Sequence, residues 1–213
     1  MSVSKQLKQI QRMYSENVAA KGANSIAVGW TTEEGQRLRF SKLSQIIYSM
    51  EESFSVNDYG CGYGAFFRFL EEDLRCSVSE YNGYDISEAM LSAAKKEFAE
   101  CGSQAKTHWI KHDTLQTVAD YSFVCGTFNV KLDAKRECWE EFIKEKLSEM
   151  HHHSRKGFAF NLLTSCVDWE EPHLYYGDPC YWFDFCKRNF SKRVALLHDY
   201  PLWEWTILVG REP

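Results

Sequence analysis

Several things are scarce in this chain of 213 residues, and each scarcity removes a class of function. No stretch approaches the roughly 20 consecutive apolar residues that a membrane-spanning helix requires. The polar start, residues 1–11, has none of the apolar core of a secretory signal, so a cytoplasmic protein is expected. Positive charge is short: 25 Lys and Arg face 30 Asp and Glu, a net charge of -5. A nucleic-acid partner needs clustered cations to meet phosphates, so none is expected. The eight cysteines include no C-x-x-C pair and no framework of a small secreted domain; they read as reduced thiols. Repeats and low-complexity linkers are also missing, which favours one compact unit. Oligomeric state leaves no mark in the sequence.

What is present is an alternation of short apolar runs with helical patterns from about residue 55 onward, the mark of an α/β fold. Strands are predicted at residues 54–59, 81–84, 107–111, 121–125 and 157–163. Two more, at 194–198 and 205–209, are separated by a short link that contains Asp199, Tyr200, Pro201 and Leu202, too short for a crossover helix, and so form an antiparallel hairpin. A helix is predicted from Ala65 towards Leu74. Ser87 caps another, with Met90, Ala93, Ala94, Phe98 and Cys101 at helical spacing. Trp139, Phe142, Ile143, Leu147 and Met150 form the stripe of a third, and His151, His152 and His153 fall at its end, where histidine suits the last carbonyls better than a metal. Residues 5–14 and 33–50 read as two helices of an N-terminal extension, residues 1–52, joined by the Gly-containing segment 20–29 and able to lie over a site as a lid. Residues 53–213 form the main domain. Aromatic residues are 15% of the chain, which predicts either flat apolar walls around a ligand or a dense aromatic core.

The sharpest motif is Asp58-Tyr59-Gly60-Cys61-Gly62-Tyr63-Gly64, between a strand and a helix, followed by Asp85 at the end of the next strand. Glycines let backbone approach a ligand, a helix N-terminus offers free N–H groups, and a carboxylate beyond the second strand can accept both hydroxyls of a ribose. This is a nucleoside cradle. The G-x-G-x-G spacing differs from the G-x-G-x-x-G of dinucleotide binders and argues against NAD or FAD.

These residues resemble the first motif of the class I S-adenosylmethionine-dependent methyltransferase family, and the likeness extends over about residues 54–211. Asp85-Ile86-Ser87 with Met90 fall on the second motif, His112-Asp113-Thr114 on the loop beside adenine, and residues 126–129 on the segment flanking the methionine part. The resemblance implies a Rossmann-like, seven-stranded mixed sheet with its last strand antiparallel (a β6–β7 hairpin), helices on both faces, and S-adenosylmethionine (AdoMet) as cofactor. It implies a cofactor site of Asp58, Tyr59, Gly60, Gly62, Asp85, Ile86, Met90, Asp113, Thr114, Gly126 and Phe128. Asp85 would take the ribose hydroxyls, Ile86 and Met90 pack on adenine, and Asp113 accept from its amine. From the extension, Tyr14, Trp30, Arg37 and Arg39 are candidates to reach over the cofactor, an arginine meeting its carboxylate. No metal is implied.

The acceptor pocket is expected beyond the ends of the fourth and fifth strands, among residues that include Asn161, His173 and Tyr176, with His173 the candidate base. A small-molecule acceptor is the leading expectation. A protein or peptide acceptor, or an enzyme that transfers or cyclises the aminocarboxypropyl arm, are the alternatives. Gly126-Thr127-Phe128-Asn129 stands where adenine-amino methyltransferases of nucleic acids carry D/N-P-P-Y, which disfavours that substrate. Pro179-Cys180 reads as structural.

Overall fold

Five runs of β-forming residues, β1 (Phe54–Tyr59), β2 (Val78–Asp85), β3 (Lys106–Lys111), β4 (Ala119–Val124) and β5 (Ser154–Thr164), pair in parallel in the computed structural model, which describes residues 3–49, 51–99 and 102–211. A two-residue strand, β6 (Tyr176–Gly177), pairs with the end of β5. The chain closes with β7 (Arg193–Leu197) and β8 (Glu204–Gly210), the expected antiparallel hairpin, with β8 inserted beside β5. The order is β3-β2-β1-β4-β5-β8-β7, a Rossmann-like mixed sheet with one short strand more than the seven expected. Burial follows position. Central β1 and β4 are buried along nearly their whole length and β8 throughout, as strands covered on both faces must be, whereas edge strand β3 has only partly buried residues between exposed lysines.

Six helices flank the sheet: α1 (Ser4–Lys21), α2 (Glu33–Ser44), α3 (Ala65–Arg68), α4 (Glu88–Phe98), α5 (Arg136–His152) and α6 (Pro179–Asn189). α3 runs on as a π-helical turn, Phe69–Asp73. α4 starts at its expected cap, where Ser87 Oγ accepts from the Met90 N–H at 3.3 Å. The expected second helix stops at Ser44; Met50, and Cys101 in the stripe of α4, lie outside the described residues. At the end of α5, His152 Nδ1 and His153 Nδ1 meet the carbonyls of Ser148 and Glu149 at 2.6 and 2.8 Å, so these histidines close the helix. α6 was not foreseen, although its start is legible. Asp178 accepts from the N–H groups of Cys180 (2.8 Å) and Tyr181 (3.2 Å), and Pro179 supplies a pre-set first turn.

Two apolar layers sandwich the sheet. On one face Trp139, Ile143 and Leu147 of α5 and Trp182 of α6 pack on Phe158, Phe160 and Trp205, with Ile10 of α1 joining them. On the other, Phe40 and Leu43 of α2 and Phe66 and Phe67 of α3 cover Val56, Phe123 and Ala159. Much of the aromatic excess is therefore core. Each such side chain fully removed from water contributes about 1.5–3 kcal/mol. No helix among the described residues is long and apolar enough to cross a membrane.

Candidate active site

The C-terminal ends of β1 and β2 lie side by side, Tyr59 opposite Tyr84, and this pairing builds the floor of the site. The N–H groups of Gly60 and Cys61 donate to the carbonyl of Tyr84 at 2.8 and 3.0 Å, which ties the glycine turn to the neighbouring strand. Gly62, with φ +55°, turns its N–H onto Asp85 Oδ2 at 2.9 Å, and the Ser87 N–H donates to Oδ1 at 2.7 Å. The glycines serve different neighbours. A Cβ on Gly60 would lie 2.0 Å from Thr127 Oγ1, and one on Gly126 would lie 2.3 Å from the ring of Trp30. Loop 126–129 and the N-terminal extension thus come down onto bare backbone.

Above this floor opens a cavity of about 1030 Å³, counting space open to solvent. Ile10 and Tyr14 of α1 and Val28 and Trp30 of the following loop line it from the extension. Ile86, Met90 and His112 line one end, and Phe40, Phe66 and Cys125 also contribute. Among the described residues, the charged side chains on its wall are Asp58 and Asp85, and neither lysine nor arginine lines it.

Both carboxylates are held above the usual carboxylate range. Burial pushes Asp58 up to about 7; a hydrogen bond from the Tyr81 hydroxyl pulls it back, and the charge of Asp85 adds to the rise. Burial likewise raises Asp85, while hydrogen bonds from the N–H groups of Ser87, Gly62 and Ile86 oppose it. Tyr14 is pushed up to about 12 by burial and by Asp85, so its hydroxyl stays protonated. These are desolvated carboxyl groups without a cationic side-chain partner among the described residues, an acceptor set suited to a ligand that brings cationic groups. AdoMet, with its sulfonium and ammonium against one carboxylate, fits that set, and Met90, Ile86 and the aromatic walls fit its adenine.

Of the residues expected around a cofactor, Asp58, Tyr59, Gly60, Gly62, Asp85, Ile86, Met90, Gly126 and Trp30 converge on this one cavity. The others lie elsewhere, each for a visible reason. Arg39 is bidentate to the buried carboxylate of Glu204 at 2.8 and 2.6 Å and stacks behind Trp30 at 4.0 Å. Arg37 pairs with Asp73 at the surface. Phe128 is fully buried against Phe142, its carbonyl taken by the indole N–H of Trp139 at 2.8 Å. The side chains of Asp113, exposed, and Thr114, half-buried, lie off this cavity's wall; in the same loop it is His112 that lines it.

The three expected catalytic side chains also lie off the cavity wall. His173 is exposed, and its carbonyl accepts from the N–H groups of Lys131 and Leu132. The hydroxyl of Tyr176 accepts from the Glu171 N–H at 3.2 Å. Asn161 is fully buried; its Nδ2 donates to Glu204 at 2.7 Å and its Oδ1 accepts from the Gly126 N–H at 2.8 Å. Sequence reasoning missed Gln36, Tyr63 and Glu204. Glu204 had a signal, a carboxylate opening an otherwise apolar strand; Gln36 had none, because α2 meets the turn only in three dimensions.

A family model described as a methyltransferase domain matches residues 56–157. A provisionally named methyltransferase of Mycobacterium tuberculosis is 44% identical over 167 residues, which cover 78% of this chain and 98% of that protein. Among solved structures, magnesium protoporphyrin IX methyltransferase from Synechocystis PCC 6803 with bound S-adenosylhomocysteine is similar at a TM-score of 0.66 and 14% identity, covering 94% of this chain and 93% of the other. The plantazolicin methyltransferase in complex with S-adenosylhomocysteine is similar at a TM-score of 0.58 and 14% identity, covering 99% of both chains. At these identities the likeness to solved structures is one of fold.

Proposed function

This chain belongs to the class I S-adenosylmethionine-dependent methyltransferase family, and from that premise we propose that it methylates a small-molecule acceptor inside the covered cavity. The observation that carries the reading is the cover itself. Ile10, Tyr14, Val28 and Trp30 wall the cavity from the N-terminal extension, which suits a molecule that enters whole better than a segment of protein laid in an open groove. The substrate named for one structural relative, magnesium protoporphyrin IX, points the same way. We read the extension as a lid over the main domain, and the seven free thiols among the described residues as suited to the cytoplasm.

AdoMet supplies a methyl group already activated on sulfur; the chain supplies place and surroundings. Asp85, aligned by the N–H groups of Gly62 and Ser87, would accept hydrogen bonds from the ribose hydroxyls. Ile86, Met90 and His112 would flank adenine, and Gly60, Gly62 and Asp58, which line the same cavity, would lie along the amino-acid arm. Trp30, held over Gly126 by the stacked Arg39, excludes water from the reacting end. Asn161 positions that end by holding the Gly126 N–H. Bound there, AdoMet would offer its methyl carbon to the acceptor's lone pair and would leave as S-adenosylhomocysteine, the electron pair of the broken carbon–sulfur bond staying on sulfur. Since His173 stands outside the cavity, catalysis here rests on orientation and electrostatics.

Incubation of the protein with AdoMet and a metabolite extract, with the nucleoside product read by mass spectrometry, tests this. S-adenosylhomocysteine formed together with a methylated small molecule is the expected result. Methylthioadenosine would reveal arm chemistry instead, and product formed only with added protein or peptide would overturn the small-molecule reading.

A further inference from the structure

Resting on the AdoMet reading above, we propose that Gln36, oriented by Tyr63, binds the carboxylate of the cofactor's amino-acid arm through its neutral amide. An α-carboxylate brought out of water needs donors, and an arginine or lysine is the usual source. This cavity has neither on its wall, and the two arginines nearest in sequence to Gln36 are committed elsewhere: Arg37 to Asp73 and Arg39 to Glu204. Gln36 lines the cavity and is only 5% exposed. Its Oε1 accepts from the Tyr63 hydroxyl at 3.1 Å, so the amide is held one way round, and its two Nε2–H donors meet no acceptor among the described residues. Amide donors without a protein partner, on the wall of a ligand cavity, are free to take an acceptor from the ligand.

Place selects which part of the ligand that is. Tyr63 follows Gly62 directly in the chain, so Gln36 is moored beside the glycine turn, whereas Ile86, Met90 and His112 occupy the adenine end. The same contact ties α2 of the extension to the cofactor, so the lid and the amino-acid arm are held by one side chain.

Isothermal titration with two ligands tests this without any turnover. S-adenosylhomocysteine keeps the amino-acid arm; 5′-methylthioadenosine keeps nucleoside and thioether but lacks it. Gln36→Leu is expected to weaken S-adenosylhomocysteine about tenfold, since a hydrogen bond to a charged group is lost, and to leave methylthioadenosine within about twofold. Gln36→Glu, nearly isosteric, sets like charges together and costs S-adenosylhomocysteine more than Leu does, with the same selectivity. Tyr63→Phe frees the amide and gives a smaller selective loss. If Gln36→Leu also loses methylthioadenosine through misfolding, the ratio of the two affinities in Gln36→Glu and Tyr63→Phe decides. Equal losses for both ligands in those variants, or an unchanged S-adenosylhomocysteine affinity, overturn the proposal. A wild-type protein that binds neither ligand overturns the AdoMet reading itself.

Discussion

Asp85 and Glu204 are both acidic residues at the same edge of the sheet, one at the end of β2 and the other at the start of antiparallel β8, and the fold treats them oppositely. Glu204 is closed on itself. Both carboxylate oxygens receive Arg39, one also receives Asn161, and through Asn161 the cluster reaches the Gly126 N–H. Asp85 is half-buried with backbone N–H bonds from Gly62, Ser87 and Ile86 and no cation, beside the buried carboxyl of Asp58, which has the Tyr81 hydroxyl and no cation either. A buried charge fully satisfied by the protein is a structural element, and a buried charge left short is a place for a ligand. The difference separates scaffold from site more sharply than residue type does, for Arg39 and Asn161 are as polar as anything in the cavity.

The largest effect should come from breaking the closed cluster. Glu204→Ala leaves a mostly buried guanidinium and the Asn161 amide without their acceptor, an expected loss of about 3–5 kcal/mol in denaturant unfolding. Replacing Arg39 and Glu204 together with leucine should restore a good part of it; a double variant as unstable as the single one would mean that the cluster does more than satisfy its own charges.

The open pair should respond to pH. Because the Asp58 carboxyl is raised in the folded protein, the native state holds a proton that the unfolded chain has released between about pH 4 and about pH 7. Its contribution is favourable below that window and is lost as pH rises through it, on the order of 4 kcal/mol for the ligand-free protein. Asp58→Asn should flatten that slope in unfolding curves taken from pH 5 to 8.

Asp85→Asn keeps one acceptor but removes the charge. S-adenosylhomocysteine affinity should fall about tenfold in calorimetry while unfolding stability changes by less than about 1 kcal/mol, the reverse of the Glu204 pattern. A large stability loss with unchanged affinity would place Asp85 with the scaffold. The smallest effect belongs to Ser87→Ala, the cap of α4 and partner of Ser15 Oγ at 2.9 Å: about 1 kcal/mol of stability, read by thermal unfolding.

Local chemistry made much of this legible beforehand. The strands from β1 to β5, the terminal hairpin, the Ser87 cap, the glycine turn and Asp85 follow from periodicity, short connections and the few residue types that a turn or a ribose accepts, all properties of neighbours in the chain. Whether a polar side chain faces a ligand or another side chain is not such a property. Arg39 meets Glu204 across 165 positions and Asn161 meets Glu204 across 43, so Arg39, an apparent cofactor contact, and Asn161, an apparent catalytic one, became parts of the frame. Gln36, unremarkable on its helix, came to face the cavity. The amino-acid order determined the glycine turn and the carboxylate beside it; only the packing of α2 and β8 around them decided which charges were spent on the fold, because desolvation is set by everything that surrounds a group and not by the residues beside it in the chain.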